Sequence, residues 1–101
     1  MRALLFFDLP MITDDDRKIY THFRKDIMKL GFFMIQNSVY AKLALDSQAL
    51  EFVINKVKKL APPTGNVVIL KVTEKQFEKM DFLIGEKPSS YIDTTEKTII
   101  L

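Results

Sequence analysis

Arg2-Ala3-Leu4-Leu5-Phe6-Phe7-Asp8-Leu9-Pro10 decides the fold. Residues 3–7 are all apolar, a single carboxylate follows at Asp8, and Pro10 stops the strand. Successive side chains of a strand point to opposite faces, so Leu4, Phe6 and Asp8 share one face and Ala3, Leu5 and Phe7 the other. A strand apolar on both faces must be covered on both. Asp8 then stands at the C-terminal edge of the strand, where a buried sheet meets a loop and ligands often bind. Function is to be sought there.

Outward from this strand, Thr13-Asp14-Asp15-Asp16 marks a helix start. Thr13 caps, Asp16 stands where a capping box wants a carboxylate, and the acidic turn suits the positive helix end. Ile19, Phe23, Ile27 and Leu30 recur at helical spacing and should face the sheet. Gly31 closes the helix as a left-handed cap. Residues 32–45 contain no Gly or Pro and read as two strands broken near Gln36-Asn37-Ser38, or as one long bent strand. Asp46 caps a second helix, with Leu45 and Leu50 placed as a hydrophobic staple. Leu50, Val53, Ile54, Val57, Leu60 and Ala61 form its apolar stripe. Pro62-Pro63-Thr64-Gly65 is a turn, and residues 66–73 are again of β type. Thr73-Glu74-Lys75-Gln76 is a full capping box for a short helix through Met80, and residues 81–85 read as a short final strand.

The order predicts an α+β fold, a ferredoxin-like βαββαβ sandwich with a C-terminal extension strand. Residues 1–85 form the domain, and residues 86–101 form a tail for dimer or partner docking. Right-handed crossovers put both long helices on one sheet face. The other face, apolar and bare, predicts a sheet-to-sheet homodimer.

The 101 residues make one domain. With 48% hydrophobic and 28% charged residues the chain reads as globular and soluble. No window approaches the roughly 20 apolar residues of a membrane span. The absence of cysteine excludes disulfides and thiolate metal sites and is compatible with a reducing cytoplasm, the expected location. A net charge of +2 neither demands nor forbids nucleic acid. There is no glycine-rich phosphate loop, no Ser-His-Asp set and no histidine cluster; His22 stands alone and reads as a solvated surface residue.

One carboxylate holds a catalytic divalent ion poorly, because Mg²⁺ prefers octahedral oxygen ligands. Two Asp8 side chains meeting across a dimer axis would complete a site for Mg²⁺ or Mn²⁺. Asp8 would then be a ligand rather than a proton shuttle, serving a metal that polarises a phosphoryl oxygen. The competing reading is an Asx turn residue that caps its own loop. Arg17, Lys18, Arg24 and Lys25 line the first helix, either as a phosphate-contact stripe or as a solvated face paired with Asp14, Asp15 and Asp26. Ser38 and Tyr40 are candidates for orienting a sugar-phosphate, although a strand tyrosine is more often a core-edge residue.

The segments Leu5-Phe6-Phe7-Asp8-Leu9-Pro10, Asp16-Arg17, Phe23-Arg24-Lys25, Gly31-Phe32, Ile35-Gln36-Asn37-Ser38-Val39-Tyr40, Pro62-Pro63-Thr64-Gly65-Asn66-Val67 and Val72-Thr73-Glu74-Lys75-Gln76-Phe77 together carry a resemblance over nearly the whole chain. They resemble the small CRISPR-associated adaptation protein, second member of the spacer-acquisition pair, in its type II branch. The resemblance implies a ferredoxin-like homodimer with Asp8 coordinating a divalent metal between protomers. It implies a dimeric scaffold on DNA, flanked by a dimeric integrase subunit in spacer acquisition, that also has metal-dependent endonuclease activity on single-stranded RNA or double-stranded DNA. It also implies that residues 86–101 cross to a partner, where Ile99-Ile100-Leu101 suits an added strand. This chain departs from many relatives in carrying no arginine within Phe33-Met34-Ile35. Two alternatives stand beside the nuclease: a purely structural DNA-binding adaptor, and a ferredoxin-like dimer that binds a small regulatory ligand.

Overall fold

A computed structural model describes residues 1–88. The order is β1 (Arg2–Asp8), α1 (Asp14–Lys29), β2 (Phe33–Gln36), β3 (Val39–Leu43), α2 (Ser47–Leu60), β4 (Asn66–Val72) and α3 (Glu74–Glu78). The four strands form one sheet in the order β2-β3-β1-β4, every neighbouring pair antiparallel. This is the ferredoxin-like arrangement expected.

The helix ends form where the residue chemistry puts them. Thr13 accepts from the Asp16 amide while the Asp16 carboxylate takes the Thr13 amide, and Thr73 and Gln76 repeat the exchange at α3. Asp46 caps α2 by accepting from the Ala49 amide at 2.8 Å. Gly31, at φ +103°, takes the left-handed position after α1. The β2–β3 region is two strands, as its polar break suggests. Their turn is closed by Ser38, which at φ +66° is the sole non-glycine residue with positive φ among the described residues.

The odd face of β1 builds the main core. Ala3, Leu5 and Phe7 pack with Phe23 and Ile27 of α1 and with Leu50, Val53 and Val57 of α2. Ile19 does not join them; it is 42% exposed, and Tyr20, one residue on, packs against the core instead. The staple is absent as well. Leu50 is buried, but Leu45 is 94% exposed, because Ala44 takes the inward place beside it.

Two expectations fail on the far side of the sheet. Residues 81–85 are not a strand: they pair with none of the four strands, Leu83 and Ile84 lie in solvent, and Phe82 folds against Ala41 and Phe77. Nor is the second face bare. There α3 covers one end, with Phe77 and Ala41 buried among Leu4, Phe33, Ile35, Val72, Met80 and Phe82. The extension strand expected near residues 98–101 lies outside the described residues. No helix among the described residues is long and apolar enough to cross a membrane.

Candidate functional site

Asp8 ends β1 on the second sheet face, level with Asn66 on β4. Burial changes in step along these two strands. Arg2 is wholly buried and its partner Val72 partly so, whereas Phe6 is 37% exposed opposite Val68, and Asp8 and Asn66 are both exposed. Leu70, opposite Leu4, is also exposed. A shallow depression of about 380 Å³ at this end is lined by Phe6, Asp8, Ser38, Val39, Asn66 and Val68.

The backbone beneath Asp8 is held from three sides. The Phe7 amide donates to the Ser38 carbonyl at 3.1 Å, which ties the strand end to the left-handed turn residue. The Ser38 and Tyr20 hydroxyls lie 3.4 Å apart. The Phe7 ring sits among Tyr20, Phe23 and Tyr40, with centroids 5.2–5.6 Å away. On the other flank Gly65 presses so close that a methyl group there would stand 2.6 Å from the Asp8 carbonyl oxygen. Asp8 is thus an exposed acid on a rigid seat.

No hydrogen bond or ion pair within the described residues engages the Asp8 carboxylate, and no group of three His, Asp or Glu side chains there could hold a metal. An unengaged carboxylate offers hard oxygen, suited to Mg²⁺ or Mn²⁺. Among the described residues the site would therefore offer such an ion one carboxylate, that of Asp8.

The remaining candidates divide. Arg17, Lys18 and Lys25 line one surface cleft on the outer side of α1 with Thr21 and His22, and Arg17 reaches Asp14 at 2.8 Å. His22 is exposed and lies 3.3 Å from Asp26. Arg24 turns inward, and its Nε donates to the Tyr40 hydroxyl at 2.8 Å. Tyr40 is 1% exposed and stacks on Phe7, so it supports the strand under Asp8 from within. Ser38 is beside Asp8; the α1 cations are on the opposite side of the sheet.

Sequence reasoning missed Arg2, Gly65 and Asn66. Arg2 could have been found, since a cation on an apolar strand face needs a buried partner. Gly65 and Asn66 gave no local signal, because their roles come from the register of β4 against β1.

The family model described as CRISPR associated protein Cas2 matches residues 1–80. The chain belongs to the Cas2 family. A CRISPR-associated endoribonuclease Cas2 of Treponema denticola is 45% identical over 101 residues, all of both chains. One from Ligilactobacillus salivarius is 41% identical, again over all of both. The crystal structure of Streptococcus pyogenes Cas2 at pH 6.5 matches with a TM-score of 0.62 at 16% identity, covering 82% of this chain and 99% of that one. At that identity the likeness speaks for the Cas2 fold alone.

Proposed function

We propose that this Cas2 chain is a metal-dependent phosphodiesterase acting on RNA, with an active site assembled from two copies. One observation carries the proposal: Asp8 is an exposed carboxylate without a partner among the described residues, at the open end of an apolar sheet face. Packing Phe6, Val68 and Leu70 against the same residues of a second copy removes that surface from water. It would also set two Asp8 carboxylates on one axis. Mg²⁺ or Mn²⁺ held there supplies Lewis-acid stabilisation to a phosphodiester. Asp8 binds the ion and moves no proton. Ser38 and Asn66 offer neutral hydrogen-bonding groups beside it. The endoribonuclease names of the full-length relatives support RNA as the substrate.

The test is cleavage of single-stranded RNA with Mg²⁺ or Mn²⁺, with sedimentation run alongside. Asp8→Ala should abolish cleavage while the protein still sediments as a dimer. Wild-type cleavage by that variant would defeat the proposal.

A second reading is favoured by the cleft of Arg17, Lys18 and Lys25. These cations face away from the sheet, so a sheet-to-sheet dimer carries one basic stripe on each outer flank. Such flanks suit the backbone of duplex DNA and would let the dimer serve as the central scaffold for an integrase subunit in spacer acquisition. Lys18→Ala and Lys25→Ala should each weaken duplex binding uniformly across sequences and lower the salt slope by about one. Unchanged salt dependence would count against this role.

A further inference from the structure

The second sheet face is half closed by this chain's own α3, and an ion pair between a buried Arg2 and a half-buried Glu74 spans the closure. The Arg2 guanidinium pairs with the Glu74 carboxylate, with Nε and Nη2 each 3.3 Å from Oε2. Its central carbon lies 4.4 Å from the centroid of Phe77 and 5.9 Å from that of Phe33. Arg2 is 0% exposed. Its Nη1 is buried without a hydrogen-bond partner among the described residues. A buried cation so placed contributes little net stability against an apolar substitute. Its geometry does fix a position: the planar fork meets the carboxylate of α3's first residue and stacks on the ring three residues later.

We infer that Arg2 is a positioning residue: its pair with Glu74 clamps α3 over one end of the sheet face, so that a second copy can seat only on the end bearing Asp8. The inference rests on the two-copy site proposed above. Exposure along the paired strands is its signature, closed at Arg2, half-closed at Val72 and open at Leu70, Phe6, Val68, Asp8 and Asn66. Without the clamp, the cluster of Leu4, Ala41, Phe33 and Val72 would become open apolar surface continuous with Phe6. A second copy could then seat in several registers, only one of which brings the Asp8 carboxylates together.

The experiment exploits the absence of cysteine. Asn55→Cys, on the exposed side of α2, takes a single spin label, and interspin distances in the dimer report the register. Hydrogen exchange of residues 74–78 reports α3 itself. The parent should give one narrow distance distribution. Glu74→Ala should speed exchange in α3 about tenfold or more and widen the distribution about twofold or split it. Replacing both partners, Arg2→Met with Glu74→Met, should keep α3 slow and the distribution narrow, because an apolar side chain at the buried Arg2 position packs under Phe77 and leaves no charge stranded. Should Glu74→Ala fail to fold, Thr73→Ala with Gln76→Ala loosens α3 by its capping box without stranding Arg2.

A freed α3 with an unchanged distribution overturns the inference. So does an α3 that stays protected in Glu74→Ala, or a broad distribution over a protected α3 in the apolar pair. No interspin distance in the parent at high concentration would instead remove the two-copy site, and the inference with it.

Discussion

Gly65→Ala should be among the most damaging small substitutions in this chain. Gly65 sits at φ +87°, where an L side chain costs about 1–2 kcal/mol. The added methyl would stand 2.6 Å from the Asp8 carbonyl oxygen, 2.8 Å from Leu9 Cδ2 and 3.1 Å from Leu9 Cα. Two of these three atoms are backbone, so relief requires moving the end of β1, at about 1–3 kcal/mol for such overpacking. The sum is about 2–5 kcal/mol, and at roughly 4 °C or more per kcal/mol the melting temperature should fall by roughly 8 °C or more. Gly31→Ala is the matched control. It shares the positive φ, at +103°, but its methyl meets only the Lys42 side chain, nearest at the mobile Nζ, 2.6 Å away. Thermal melts of both variants isolate the backbone contact, and amide shifts at Asp8 and Leu9 should move in the Gly65 variant alone. Equal melting of the two variants would refute the claim that Gly65 is the wall against which Asp8 is placed.

Tyr40→Phe keeps the stack on Phe7 and removes the acceptor of the Arg24 Nε hydrogen bond, so urea unfolding should show a loss of about 1 kcal/mol. A variant as stable as the parent would mean that the bond contributes nothing. Leu45→Ser should change stability by less than about 0.5 kcal/mol, since Leu45 touches no core; a larger loss would restore the staple. The Lys71 ammonium, 2.8 Å from Glu51, holds that carboxyl below its ordinary range, by hydrogen bond first and by charge second. The pair's contribution is therefore full above the ordinary glutamate range and is lost as pH falls through the lowered value. Both groups are exposed and screened by salt, so side-chain NMR titration is the sensitive readout. Lys71→Met should move the Glu51 titration upward, and an unmoved titration would remove Lys71 as the cause.

Local chemistry in the sequence carried most of the fold. Thr13, Asp46 and Thr73 announce their helices because a cap is written in adjacent residues, and the apolar face of α2 is written in its spacing. Asp8 stood out because it ends an apolar run. What stayed hidden depends on distant partners. Leu83 and Ile84 look like strand residues, yet a strand needs an edge to pair with, and residues 81–85 make no such pairing. The hydrogen bond between Arg24 and Tyr40 is not legible locally, because only antiparallel pairing of β1 with β3 sets Tyr40 beside Leu5, inside the core, where its hydroxyl accepts from Arg24. Arg2 and Glu74 are 72 residues apart, and nothing local joins them.

The first strand lies in the middle of the sheet, and both of its neighbours come later in the chain. During synthesis β1 emerges first, yet its partner β3 follows about four tens of residues behind and β4 later still. Until then Ala3 to Phe7 are an unpaired, oily ribbon with no intramolecular ladder to join. Folding of this domain should therefore be a late, concerted event, and the nascent chain is most open to wrong pairing with other chains in the interval before β4 appears.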